Sequence, residues 1–387
     1  MSGKHARLSA SAAHRWMACA GSVKLSDGIP NTSSFEAAQG TVAHAVAAEC
    51  FARNLNAEQF LDVSYAEDGH TIICDQEMVD GVQFYLDVCY NDVQEGDLCR
   101  SEVTLDALQR LDPDFGGTAD RVRYRPSTKH LLVTDLKYGA GVMVEPQGNK
   151  QLRVYALGVL LNVKASVEQV TVRIVQPRIE HEAGRVRDWT FSAVELLDFA
   201  ADMVDAAALT RVDNPPLVPG KEQCRFCPAL HICPALETAQ HALVATEFTP
   251  AVKYDAQKLA DALSQIPMVE ARITALREFA YAEAERGNVV PGYKLVDKRA
   301  YRSWTDEDAV IKWAKASAVD PYAPPEIKSP AQMEKGLKKP EKEALKQFTE
   351  SKSSGRTLVP VADERPEAKR LTAVDFAAPT NAVSNLF

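Results

Sequence analysis

The segment from Gly116 to Tyr155 contains the side chains with the clearest chemistry in this chain. Asp120 lies near the start of one apolar run, and Asp135 and Lys137 lie at the end of the next. Residues two apart on a strand leave the same face, so Asp135 and Lys137 share one. Carboxylates grouped in this way hold Mg²⁺ or Mn²⁺, which lowers the pKa of a water, while an ammonium orients that water. The pattern predicts phosphodiester hydrolysis. Taken without their neighbours, Asp135 and Lys137 (D-x-K) could instead be a solvated ion pair at a strand end.

A β-hairpin and a helix must position these groups. Ala119–Arg125 and His130–Lys137 are rich in Val, Leu and Tyr, and the residues P-S-T-K between them favour a turn. Phe35–Ala52 is Ala-rich with helical spacing, and it places Gly40 one turn before His44 on the same face. A helical glycine indicates close approach by another backbone or by substrate. His44 is therefore a candidate site residue, a core histidine being the alternative.

Further elements complete an α/β pattern. Glu102 lies on a predicted strand over Leu98–Leu105 and is a candidate extra carboxylate near the hairpin. The order of elements predicts a mixed central sheet flanked by helices. We expect helices over residues 9–19, Glu77–Val93, Gln151–Tyr155, Ser192–Leu209 and Asp255–Arg286 with an interruption at Pro267, strands over Leu98–Leu105 and Val167–Val175, and a polar loop over residues 22–34.

A cysteine group follows the predicted sheet. Cys224, Cys227 and Cys233 form C-x2-C-x5-C. Three thiols this close in a reducing compartment predict a metal or cluster site, which needs a fourth ligand. His231 is within reach for zinc, and Cys19, which follows the first short helix, is the distant candidate for a [4Fe–4S] cluster.

The C-terminal part offers a second kind of nucleic-acid signal. Aromatic residues interleave with cations after Gly287, a mixture suited to base stacking and phosphate neutralisation. A solvated hairpin is the alternative. The residues are Tyr293, Tyr301 and Trp304 with Lys294, Lys298, Arg299 and Arg302. The final V-S-N-L-F is either a docking peptide for a single-strand-binding or annealing protein, or a chain end without a role.

Composition sets the class of protein. The chain has 387 residues, 46% of them hydrophobic, with a net charge of −9 and eight cysteines. This charge argues against a generally basic nucleic-acid coat protein, but not against a local basic groove. With no secretory signal and no apolar run long enough to span a membrane, we expect a cytoplasmic protein with reduced cysteines.

Together these motifs resemble the PD-(D/E)xK nuclease superfamily, in its RecB/AddB-like branch with an iron–sulfur cluster, and most of all a phage-encoded family of unassigned function. The likeness covers about residues 5–240 and rests on five motifs in the family's order. They are G-x-x-x-H (Gly40, His44), G-x-x-D (Gly117 to Asp120), D-x-K (Asp135, Lys137), Q-x-x-x-Y (Gln151, Tyr155) and the one-plus-three cysteines (Cys19 with Cys224, Cys227 and Cys233).

The resemblance implies a restriction-endonuclease-like core and specific residue roles. His44, Asp120, Asp135 and the Leu136 carbonyl would bind the metal. Lys137 would position the attacking water, while Gln151 and Tyr155 would contact DNA or support the lysine. The four cysteines would hold a structural cluster that clips the N-terminal helix to the segment behind the core.

The expectation is a Mg²⁺- or Mn²⁺-dependent deoxyribonuclease, an exonuclease of phage-type replication or recombination. The alternative is a non-catalytic DNA-binding or scaffold protein that keeps the fold. Residues 1–240 are expected to form the iron–sulfur nuclease domain and residues 241–320 a helical, basic-aromatic extension. Residues 321–387 are expected to form a linker, short helices and a disordered tail.

Overall fold

The computed structural model describes residues 6–29, 34–140, 142–180, 182–244, 256–295 and Lys312. The strands are β1 (Leu8–Ser9), β2 (Ser64–Glu67), β3 (His70–Ile73), β4 (Leu98–Thr104), β5 (Phe115–Gly116), β6 (Thr118–Arg125), β7 (His130–Leu136), β8 (Gln169–Val175) and β9 (Val186–Ser192). The helices are α1 (Ala13–Trp16), α2 (Gly21–Leu25), α3 (Phe35–Arg53), α4 (Gln76–Asn91), α5 (Lys150–Asn162), α6 (Glu195–Leu209), α7 (Lys221–Cys224), α8 (Pro234–Val244) and α9 (Ala256–Glu285).

A five-stranded mixed sheet of order β4-β6-β7-β8-β9 forms the centre of the fold. Its neighbours are antiparallel except β7 and β8, which are parallel and are joined through α5. A parallel pair needs such a crossover because a tight turn cannot return the chain to the same end of the sheet. The helical C-terminal segment of the described chain is α9. The predicted mixed α/β core and helical C-terminal segment are thus confirmed.

Two apolar clusters meet near the end of β7. Leu131 and Val133 belong to the larger cluster, which α1, α5 and α6 complete. Leu136 belongs to the second cluster, built mainly from α3 and α4. Because side chains alternate along a strand, Asp135 continues the row of Leu131 and Val133 toward α5. The end of β7 therefore lies between the two helical layers.

Local caps fix the two helices of the second cluster. The Ser34 side chain accepts a hydrogen bond from Ala37 N at 3.2 Å at the start of α3. The Asp75 side chain accepts one from Met78 N at 2.9 Å at the start of α4. Each cap satisfies a backbone N–H that has no partner within its own helix, typically worth about 1 kcal/mol.

The predicted hairpin of β6 and β7 is confirmed as an antiparallel pair. The predicted helices α3, α4 and α5 and the strands β4 and β8 are also present; α5 continues to Asn162, well beyond the predicted end at Tyr155, and the other ends differ by at most two residues. The helix expected from Ser192 begins at Glu195, because Ser192 ends β9.

Two other expectations are wrong in part, and some observed strands were not expected. Residues 22–25 belong to α2 rather than to a polar loop. Pro267 lies inside the continuous helix α9 and does not interrupt it. The hairpin of β2 and β3 and the edge strand β9 have no counterpart among the expected elements.

None of the helices in the described residues is both long enough and apolar enough to cross a membrane.

Candidate functional site

The sheet register brings the predicted acidic residues together. In the β4–β6 pair, Ser101 pairs with Arg121 and Val103 with Ala119, which places Glu102 opposite Asp120. In the β6–β7 pair, Arg121 is opposite Thr134, so the next step places Asp120 beside Asp135. Hydrogen-bonded strands of fixed register therefore carry all three carboxylates to one place. We call this place, with His44, Lys137, Gln151 and Tyr155, the carboxylate site.

Asp120 is held by two groups. Its Oδ2 accepts a hydrogen bond from the Leu136 backbone N–H at 2.8 Å. His44 Nδ1, from α3, lies 3.3 Å from the same oxygen. His44, Asp120 and the Leu136 backbone are therefore in contact, through the Leu136 N–H and not through the carbonyl that the resemblance assigns to the metal. The Leu136 side chain itself is fully buried in the second apolar cluster.

Lys137 connects Asp135 to the helix α5. Its Nζ lies 2.8 Å from Asp135 Oδ2 and donates a hydrogen bond to Gln151 Oε1 at 3.0 Å. Gln151 Nε2 in turn donates to the Tyr155 hydroxyl oxygen at 2.6 Å. Gln151 and Tyr155 are four residues apart on α5, so they share a helix face. The chain of contacts fixes the direction of the lysine amine.

Asp135 is the most enclosed member of the site. The residue is 1% exposed, and its Oδ2 lies 2.8 Å from the Lys137 ammonium. This ion pair offsets part of the cost of burying the carboxylate. A bound cation would add positive charge at the same place.

The ionisable groups of the carboxylate site shift one another's pKa values. Burial raises the pKa of Asp135; Lys137 opposes this rise and Asp120 adds to it. Burial acts in the same sense on Asp120, but its contacts with His44 and Leu136 hold the pKa of Asp120 below its usual value. Burial disfavours the His44 imidazolium, yet attraction from Asp120 outweighs it and raises the pKa of His44 to about 9. A protonated His44 supplies part of the positive charge that these carboxylates require, and it must release that proton to bind a metal.

Glu102 adds a third carboxylate to the site, from a residue whose backbone is strained. Its φ of 49° lies in the left-handed region, where a residue with a long side chain is rarely found. The residue as a whole is exposed, but protein atoms around the carboxyl and repulsion from Asp120 raise the pKa of Glu102 to about 7. Its candidacy as an extra carboxylate is therefore supported by position.

One further residue lies near the site that sequence reasoning did not find. The Tyr85 hydroxyl of α4 is buried beside the Cys89 thiol, one turn along the helix. It interacts electrostatically with both Asp120 and Asp135. Its spacing with Val82, Leu86 and Cys89 indicates only a core residue, so the sequence carried no signal for this position.

A second candidate site gathers four cysteines from both ends of the fold. Cys19 follows α1, Cys224 ends α7, and Cys227 and Cys233 lie on the turns that follow. Burial, with the neighbouring thiols of Cys227, Cys19 and Cys233, raises the pKa of Cys224. Every cysteine of the chain is a free thiol. We call this group the cysteine site.

Backbone N–H groups point at two of these sulfurs. Val218 N donates to Cys19 Sγ at 3.3 Å, and Gly220 N donates to Cys224 Sγ at 3.3 Å. Such bonds stabilise the thiolate form that binds metal. The alternative zinc ligand His231 instead stacks on Phe279, with ring centroids 4.4 Å apart.

Neither site is arranged as a finished coordination shell. In the part of the chain that the structure describes, no group of three or more His, Cys, Asp or Glu side chains is close enough to hold an ion as it stands. The donor types nevertheless suit the groups in question. Carboxylate, carbonyl and imidazole donors suit Mg²⁺ or Mn²⁺, and four thiols suit an iron–sulfur cluster.

The predicted basic-aromatic segment is only partly described. Tyr293 and Lys294 follow α9 and are exposed. Lys298, Arg299, Tyr301, Arg302 and Trp304 lie outside the described residues, as do the linker and the tail.

Comparison with known protein families gives a match across most of the chain. The matching family model is described as "Protein of unknown function (DUF2800)", and it covers residues 5–366. That range includes both candidate sites and the helix α9. The chain therefore belongs to the DUF2800 family of proteins of unknown function.

Proposed function

We propose that this protein is a divalent-metal-dependent nuclease of the PD-(D/E)xK type that hydrolyses phosphodiester bonds in DNA. The observation that supports it best is the convergence of Asp120, Asp135 and Lys137 with His44 at the end of one strand pair. A solvated ion pair would not need a carboxylate that is 1% exposed. Burying two carboxylates is unfavourable unless positive charge lies beside them, a role that Lys137, His44 and a bound cation would share.

The residues available to hold Mg²⁺ or Mn²⁺ are His44, Asp120, Asp135 and the Leu136 carbonyl. When bound, the ion would supply Lewis acidity and lower the pKa of a water. Asp120 is already oriented for this by the Leu136 N–H, and Asp135 by its place beside Lys137.

Lys137 is the residue that orients the attacking water. An ammonium has three N–H donors. One donates to Gln151 Oε1, and the ion pair with Asp135 takes up a second direction. The third donor remains for a water or for a phosphate oxygen. Gln151, itself held by Tyr155, keeps the amine from turning into solvent.

The cysteine site is proposed to hold a structural [4Fe–4S] cluster through Cys19, Cys224, Cys227 and Cys233. Cys19 is favoured over His231 as the fourth ligand because its sulfur interacts with Cys224 and Cys227, whereas the His231 ring stacks on Phe279. The cluster would clip α1 to the segment behind the core. An exonuclease of phage-type replication or recombination, acting in the cytoplasm, is the context that fits the motif set.

The test is degradation of end-labelled linear DNA, single- and double-stranded, by cluster-loaded protein in Mg²⁺ or Mn²⁺. We expect the wild type to release nucleotides, and Lys137→Ala to lose activity by at least about a hundredfold with an unchanged melting temperature. Lys164→Ala, which removes an exposed lysine on a loop, is the matched control and should remain active. A wild type that degrades neither substrate in either metal contradicts the proposal and favours a DNA-binding or scaffold role.

A further inference from the structure

The helical glycines of this fold are of two kinds. A Cβ on Gly81 of α4 would lie 3.1 Å from a ring carbon of Tyr138, and one on Gly158 of α5 would lie 3.0 Å from Leu105. Packing therefore explains both of these glycines. A Cβ on Gly40 of α3 would meet no described protein atom within 4 Å.

Among the described residues, packing gives no reason for a glycine at position 40. Glycine in a helix interior is about 1 kcal/mol less favourable than alanine, so the substitution to alanine should stabilise α3. The expectation that another segment of backbone approaches Gly40 is wrong for the described residues. Approach by a substrate is the part of that expectation that remains.

The open side of Gly40 lies next to the carboxylate site. Gly40 is one turn before His44, on the same face of α3. His44 is partly exposed, and its Nδ1 contacts Asp120. Asp120 is in turn beside Asp135, which is 1% exposed and paired with Lys137. The missing side chain thus leaves free space beside the polar groups proposed to act on the substrate.

We propose that Gly40 provides clearance for the sugar–phosphate backbone of a DNA strand that crosses α3 beside His44. This inference rests on the proposed nuclease function and adds the path of the substrate. Side chains on a helix lean toward its N-terminus, so a side chain at position 40 would cover the helix surface on the N-terminal side of His44. A DNA strand that crosses α3 there to reach the carboxylates would then collide with that side chain.

The experiment compares Gly40→Ala and Gly40→Leu with wild type, since alanine and leucine are both strong helix formers. DNA affinity is measured by fluorescence anisotropy of a labelled oligonucleotide, with Lys137→Ala added so that no cleavage occurs. Cleavage is measured in the single variants on DNA and on thymidine 5′-p-nitrophenyl phosphate, a small phosphodiester. Melting temperatures report the effect on the fold.

We expect both variants to melt at or above the wild-type temperature. DNA affinity should fall a few-fold for Gly40→Ala and at least about tenfold for Gly40→Leu. The ratio of DNA cleavage to small-ester cleavage should fall in the same order. Ala52→Leu, at an exposed position three turns farther along α3, is the matched control and should behave as wild type.

The outcomes separate this inference from the nuclease proposal. If Gly40→Leu binds and cleaves DNA as well as the wild type, the strand does not cross α3 at this point and the inference fails, while the nuclease assignment stands. Equal losses on DNA and on the small ester would mean that Gly40 shapes the catalytic centre rather than a strand path, which also contradicts it. A wild type that neither binds nor cleaves DNA overturns both proposals.

Discussion

The carboxylate site and the cysteine site are built in different ways. Asp120 and Asp135 come from adjacent strands whose register is fixed by five successive residue pairs. The four cysteines come from short helices and turns, and Cys19 is tied to the segment before Cys224 by a hydrogen bond that spans 199 residues of sequence. Regular sheet structure can hold the first site without a ligand. The second depends on a contact between distant, irregular segments, and a bound cluster would stabilise that contact.

Loss of a cluster ligand should give the largest effect. Cys227→Ser removes one of the four thiols, and thiolate-bound metal contributes directly to folding free energy. We expect loss of the visible absorbance of anaerobically purified protein and a fall in melting temperature of at least about 10 °C. Cys99→Ser, at a partly buried free thiol on β4, is the control and should retain both properties. A wild type that is colourless and contains stoichiometric zinc would instead favour a zinc site.

A steric change at the same site should have an intermediate effect. A Cβ on Gly21 would lie 2.7 Å from Leu217 Cδ2 and 2.7 Å from the Pro215 carbonyl oxygen. Gly21→Ala therefore forces the Cys19 segment away from the segment before Cys224, at a cost of about 1–3 kcal/mol. We expect less iron per chain although every cysteine remains, as measured by iron analysis. Full iron content with an unchanged melting temperature would show that the two segments need not touch.

Comparing wild type with Asp97→Asn in acid isolates one ion pair on the sheet side. Arg125 donates two hydrogen bonds to Asp97, at 2.9 and 2.8 Å, and holds the pKa of Asp97 at about 2 against 3.8 for a free carboxyl. A depressed pKa stabilises the native state above about pH 4 and loses that contribution as the pH falls toward 2. Asp97→Asn should therefore flatten the dependence of unfolding free energy on pH in this window. Chemical denaturation at pH 2, 3 and 4 tests it; an unchanged slope would contradict the role of this pair.

The smallest effect is expected at the support of the lysine. Tyr155→Phe removes the oxygen that accepts the hydrogen bond from Gln151 Nε2. Losing one such bond costs about 1 kcal/mol, which corresponds to about a fivefold fall in kcat if the amine is less well held. The KM for DNA should stay within about twofold, because Tyr155 is buried. A larger change in KM than in kcat would mean that Tyr155 contacts the substrate directly.

The two regions also differ in what the sequence could reveal. The hairpin of β6 and β7 was predictable because its apolar, β-branched runs flank a Pro-Ser turn. Asp135 and Lys137 follow from that hairpin at once, since residues two apart share a face. The contact of Asp120 with His44 required the resemblance to a family, because no local rule relates α3 to β6.

The parts that sequence reasoning missed have identifiable causes. The β2–β3 hairpin turns at Asp68-Gly69, where both residues have positive φ. An Asp-Gly pair is a strong hairpin signal, so the sequence did indicate this turn. Pro267 was expected to break α9, but tertiary packing of Met268, Ala271 and Ala275 against the cysteine region supports the helix there. The left-handed φ of Glu102 and the place of the Tyr85 hydroxyl near Asp120 and Asp135 depend on tertiary contacts and leave no trace in the local sequence.

The central claim is that the end of β7 binds a divalent metal. Its most direct test is a Mn²⁺ binding isotherm measured by electron paramagnetic resonance on wild type and on Asp135→Asn. We expect one tight ion per chain in the wild type, and a loss of affinity of at least about a hundredfold in the variant. The metal-free variant should be no less stable than the wild type, because burial already raises the pKa of Asp135 and disfavours its charge. Equal Mn²⁺ affinity in the two proteins would contradict the assignment of this strand end as a metal site.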